Sequence, residues 1–241
     1  ASASFGWRRT LPLVAAVALA VRIIYIAELF WKGPFFHHLP AGSDSLVYWT
    51  RATAIAEGDV LMKAFGPYYF GPLYSYFLAG LFALSEPSLW TVHVVQGMLG
   101  VVSCVLIALI ATMAFNRITG LIAGLLAAFS TTLLYYEQRV LMESLLFVIL
   151  SAGLAAFMTA LVSRRRRPRL LWSAVAGLCV GVAASGRGTH LLLAGALVLI
   201  LGLQRLRPRR QRVVAGAVLL SLAVLPPALM ALRNGLLFDR W

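Results

Sequence analysis

Acidic side chains are scarce in this chain. Only eight Asp and Glu stand against 21 Lys and Arg, and charged residues of either sign make up 12% of 241 residues. A soluble domain of this length carries about 25%, so a water-exposed globular surface is excluded. Two cysteines, Cys104 and Cys179, lie far apart within apolar stretches. They offer neither a disulfide framework nor metal-ligand spacing, and read as small packing residues. Also missing are a glycine-rich nucleotide-phosphate loop, a nucleophile elbow, an internal repeat and a low-complexity linker. What remains is 61% hydrophobic, in runs that recur along the whole length, as in a polytopic membrane protein.

The formal net charge of +13 suggests nucleic acid only if its placement is ignored. The arginines stand in short clusters between apolar segments, which is the positive-inside pattern, and no nucleic-acid partner is expected. Candidate spans are 10–31, 89–115, 119–136, 140–163, 171–185, 189–204 and 213–231. The stretch 69–84 reaches only about 24 Å at helical rise, short of a bilayer core of about 30 Å. Counting it as interfacial places Arg8, Arg9, Arg117 and the Arg clusters 164–169 and 205–212 on one side with no acid among them. All eight acids then fall on the other. The predicted fold is therefore all-α, with about seven transmembrane helices, a cytoplasmic N-terminus and an exoplasmic C-terminus. Residues 1–241 are expected to form one module. The Arg8-Arg9 pair before an apolar run could imitate a signal peptide, but that run is long enough to span and reads as a retained first helix.

The longest connection, 32–88, is expected to carry two interfacial helices. In 44–57 an apolar stripe runs through Leu46, Trp49, Ala52 or Thr53, and Ala56, and stops at Gly58. Tyr68, Tyr69, Tyr74 and Tyr76 suit the same interface. Acids and buried bases near a membrane are costly and merit a functional question. Asp44 is either the N-cap of its helix, with Ser43 as rival, or a general base or metal ligand at the membrane surface. Glu143 sits in the first turn of a span, where the helix dipole alone favours an acid, and neighbouring Glu137 is an alternative to it. Arg187, between two glycines, either grips a lipid phosphate or snorkels. Arg22, roughly 18 Å into the first span, needs Glu28 or a phosphate as partner. His37, His38, His93 and His190 have no convincing chelating spacing, so no metal ligands are assigned.

Several stretches together resemble one family. Arg22-Ile-Ile-Tyr25, Asp44 with Tyr48, and Ala56-Glu57-Gly58-Asp59 come first. Phe70 to Leu78 with its Pro72-Leu73-Tyr74 follows, then Gln96 with Gly97 and Gly100, Leu141 to Leu145, and Gly181 to Arg187. In this order they resemble polytopic GT-C glycosyltransferases of the protein mannosyltransferase and lipid A aminoarabinose transferase type. The resemblance implies a sugar donor linked to polyprenyl phosphate and transfer on the outer face. It also implies Asp44 as base or ligand, Glu143 as second acid and Arg187 at the donor phosphate, where Arg22, from its depth in the first span, is the second candidate. As a ligand, Asp44 would hold a divalent metal. Two departures stand out: Ser45 follows Asp44 where many relatives have an acid, and those relatives are longer. The expectation is an N-terminal transferase module, truncated or partner-dependent. The alternative is a non-catalytic subunit of this fold within a larger membrane complex. Membrane lipids and other membrane subunits are the expected partners. The arginine-rich, lysine-poor composition points to a bacterial inner membrane.

Overall fold

The computed structural model describes residues 7–33, 36–204 and 208–239, and every element among them is helical. The chain divides into two compact units, Ala1–Phe65 with Tyr74–Val148, and Gly66–Leu73 with Ile149–Trp241.

The first unit is built on α1 (Trp7–Lys32), α4 (Leu89–Ala114) and α5 (Arg117–Ala128). Its core is Val14, Ala18, Val101, Cys104, Ala108, Ala127 and Ala128. These residues are mostly small, and lipid provides no hydrophobic drive between helices, so close packing does the work. A Cβ on Gly124 would come within 2.8 Å of Ala108 Cβ and Val14 Cγ1. The expected span 119–136 is a bent pair, α5 followed by α6 (Thr131–Glu137), turning 53° at the break. Ser130 causes it: its hydroxyl accepts from Leu133 N–H at 3.5 Å and begins a new helix. α2 (Asp44–Ala56) and α3 (Leu73–Leu84) complete this unit's helices, with the first turn of α7 (Glu143–Val162).

The helix at 44–57 forms where expected and ends at Gly58, whose φ of +116° suits glycine. Its buried face differs from the expected stripe, being Ser45, Tyr48, Ala52 and Ile55. The Tyr48 ring outweighs its hydroxyl and turns the helix by one position. The second interfacial helix starts at Leu73 rather than at residue 69, because Gly71-Pro72 cannot lie inside a helix without cost.

The second unit holds the rest of α7, α8 (Arg166–Gly186), α9 (Leu191–Leu203) and α10 (Arg209–Phe238). Its core runs through Phe157, Val180, Leu197, Leu201, Leu219 and small residues between them. α10 is one unbroken helix across Pro226 and Pro227. Those prolines lack the N–H groups that would bond the carbonyls of Leu222 and Ala223. The same two carbonyls would stand 2.7 and 2.6 Å from a Cβ on Gly181 of α8, so glycine admits them to a close Cα–H···O approach. Residues 66–73 dock on this unit. Tyr68 N–H donates to Asn234 Oδ1 at 3.1 Å, and the Arg233 guanidinium, 4.0 Å from the Tyr68 ring centroid, donates to Gly66 O.

Among the described residues, five helices are long and apolar enough to cross a bilayer: 10–32 of α1, then α4, α7, α8 and α10. The bent α5–α6 pair makes six if it counts as one span. The sixth expected segment, 189–204, is a short 3-10 turn leading into α9, whose 13 residues rise only about 20 Å.

Candidate active site

α2 delivers Asp44. Ser43, in extended conformation, is the N-cap and accepts from Leu46 N–H at 3.3 Å. Asp44 is thereby spared the capping role and stands exposed in the first turn. One helical turn further on, Tyr48 is 2% exposed. Its hydroxyl donates to Met142 Sδ at 3.7 Å, the residue immediately before Glu143. On the other side of Glu143, the Ser144 hydroxyl donates to Gln96 Oε1 at 3.1 Å. The start of α7 is therefore tied on both sides of its carboxylate, to α2 through Met142 and to α4 through Ser144.

Gln96, fully buried, is the centre of this arrangement. Its Oε1 also accepts from the Tyr74 hydroxyl at 2.5 Å. Its Nε2 donates to the carbonyls of Glu137 at 2.9 Å and Arg139 at 2.7 Å. One amide thus uses both its ends to join α3, α4, the α6–α7 link and α7. A buried amide with so many of its bonds made fixes geometry as well as adding stability. The Tyr74 ring meets Tyr48 edge-on at 5.1 Å. Burial, then Tyr48 and Glu143, push the Tyr74 phenol well above its usual range, so it stays a proton donor to Gln96.

Arg22 has an intramolecular partner, and it is Glu137 rather than Glu28. Nη2 stands 2.7 Å from Glu137 Oε1, and Nη1 donates to the carbonyls of Ala18 and Ala128, each at 3.3 Å. Glu28 instead faces Lys32 at 3.5 Å in an exposed pair. Gly100 makes room for this pair, because a Cβ there would overlap the Glu137 carboxylate. Sequence reading found Arg22 and Glu137 separately but not together; one unsolvated base within an apolar segment and one acid at the end of another was the available signal.

Arg187 lies in the second unit. It is the C-cap of α8, extended at φ −144°, ψ 107°, with an exposed side chain. The structure thus brings Asp44, Glu143 and Arg22 into one unit, and places Arg187 in the other. Among the histidines, His37 Nε2 lies 3.0 Å from Phe30 O, and His93 is buried, stacked 4.4 Å from Phe36. Among the described residues no three His, Cys, Asp or Glu side chains assemble as a metal-ligand set.

A model of the dolichyl-phosphate-mannose-protein mannosyltransferase family matches residues 67–230. Tyr74, Gln96, Glu137, Glu143 and Arg187 fall within the match, whereas Arg22 and Asp44 precede it. No curated protein and no solved structure matches the chain. With its long apolar helices, the family makes this an integral membrane protein whose relatives use membrane lipid and a lipid-linked sugar donor. The chain belongs to the dolichyl-phosphate-mannose-protein mannosyltransferase family and carries a GT-C-like glycosyltransferase module.

Proposed function

We propose that residues 1–241 act as one transferase module, moving a sugar from a polyprenyl-phosphate donor to an acceptor hydroxyl on the exoplasmic face of a bacterial inner membrane. Asp44 is the general base. It accepts the acceptor's proton as that oxygen bonds to the anomeric carbon, while the bond from that carbon to the phosphate oxygen breaks. The electron pair leaves with the lipid phosphate, whose charge Arg187 stabilises. Glu143 is the second acid and holds the acceptor. Arg22, taken up by Glu137, supports the scaffold in this reading and makes no donor contact. The observation that carries the proposal is the Ser43 cap, which leaves an exposed carboxylate at Asp44 one turn from a tyrosine bonded beside Glu143.

The test is transfer of sugar from a polyprenyl-phosphate donor in membranes containing the chain. Asp44→Asn removes the base and lowers the rate by about 10²–10⁴ while thermal stability is unchanged, since Ser43 still caps the helix. Wild-type rates in folded Asp44→Asn would refute the assignment. No transfer by the wild-type chain in native membranes, with its partner proteins present, would favour a non-catalytic subunit.

A further inference from the structure

The N-terminal ends of α8 and α10 carry the wrong charge. A helix N-terminus is a partial positive pole and is normally matched by an acid or a capping oxygen. α8 starts at Arg166-Arg167-Pro168-Arg169 behind Arg165, and α10 at Arg209-Arg210 behind Pro208. Neither has an acid in its first turn, and neither has a side-chain cap bond. Arg166, Arg169 and Arg210 line a single cavity of about 200 Å³ together with Gln211, Leu170 and Val214. Roughly 10–15 Å³ suffices for one water, so a phosphate group fits.

The positive-inside pattern does not account for Arg169 in this cavity. Orienting a membrane protein requires arginines exposed to water, as Arg164, Arg166, Arg167 and Arg210 are. Arg169 is instead 2% exposed. Its Nη2 donates to Gln211 Oε1 across from α8 to α10, which holds the guanidinium plane at the cavity wall. Arg212 shows the opposite use of the same residue type: it donates to Gly202 O near the C-terminal end of α9, where the helix dipole welcomes a cation.

We propose that this cavity binds the phosphodiester of an anionic phospholipid. Two positive helix poles and three guanidiniums converge on one anion-sized space, and arginine forks match phosphate oxygens in pairs. α8 and α10 are both long enough to span a bilayer, so their ends lie at headgroup depth. Leu170 and Val214, about one turn inward, give the glycerol and first acyl carbons an apolar wall. Inorganic phosphate offers the same oxygens, but only the lipid is supplied at that depth and engages the apolar wall. Basic pockets between spanning helices are a general means of holding anionic headgroups.

The test uses the purified full chain in detergent, with added phosphatidylglycerol, phosphatidylcholine or inorganic phosphate. Native mass spectrometry counts bound lipid, and melting temperature reports its effect on the fold. Phosphatidylglycerol is expected to bind and stabilise, and phosphatidylcholine to do neither. Arg166→Gln/Arg210→Gln, changed at exposed positions, should keep the fold and bind phosphatidylglycerol at least about tenfold more weakly, about 1.4 kcal/mol. Arg164→Gln/Arg167→Gln removes the same charge beside the cavity without touching its lining, and should bind as wild type. Equal weakening in both double variants would reduce the effect to net charge and overturn the site. Stabilisation by inorganic phosphate equal to that by phosphatidylglycerol would overturn the lipid assignment.

Discussion

Breaking the Arg22–Glu137 pair tests the inner frame of the first unit. The two side chains are 2% and 4% exposed and 2.7 Å apart, so neither charge is solvated. Removing one partner of a buried pair costs about 3–5 kcal/mol, mostly from the charge left behind. Replacing both by apolar groups is often close to neutral. The singles should also differ. With Arg22→Met, Glu137 can escape by taking up a proton. With Glu137→Leu, arginine cannot lose its charge and keeps the carbonyls of Ala18 and Ala128 but no counter-charge. Glu137→Leu should therefore be the more destabilising single, and Arg22→Met/Glu137→Leu should recover to within about 2 kcal/mol of wild type, by the logic of a double-mutant cycle. The assay is loss of the monodisperse gel-filtration peak after graded heating in detergent. Singles indistinguishable from wild type, or a double variant as weak as the worse single, would refute a buried charge pair.

Three further outcomes are expected. Gly100→Ala places a methyl on the Glu137 carboxylate and should cost about 1–3 kcal/mol as overpacking, measured by the same heating assay; a stability equal to wild type would show that α4 and Glu137 separate freely. Gln96→Leu leaves the carbonyls of Glu137 and Arg139 and two hydroxyls without their bonds, at about 1–3 kcal/mol for each buried group that finds no new partner. Gln96→Glu should rescue less than wild type because it loses the two N–H donations, and full rescue would displace Gln96 from the centre of the frame. Single cysteines placed within 164–169 and within 44–57 should react with an impermeant thiol reagent from opposite sides of the membrane, and labelling of both from one side would overturn the predicted topology.

The amino-acid sequence by itself determined class and helix positions. Long apolar runs interrupted by arginine clusters have only one low-energy solvent, and backbone groups in lipid must be satisfied within helices. Family order, from Pro72-Leu73-Tyr74 to Arg187, was legible because each motif keeps its place along the chain. Span lengths were less so: Ser130 has the same composition signature as any serine in an apolar run, and only its bond to Leu133 N–H divides α5 from α6. Partnerships were decided by the tertiary structure. Arg22 and Glu137 are 115 positions apart, and Gln96 reaches Tyr74, Ser144 and the 137–139 carbonyls from three directions. No local periodicity encodes such contacts, since they depend on which helix faces meet. The same holds for Asp44, whose freedom from the capping role rests on the backbone angles of Ser43, and for Arg169, one arginine in a cluster of five that the packing of α8 against α10 alone takes out of water.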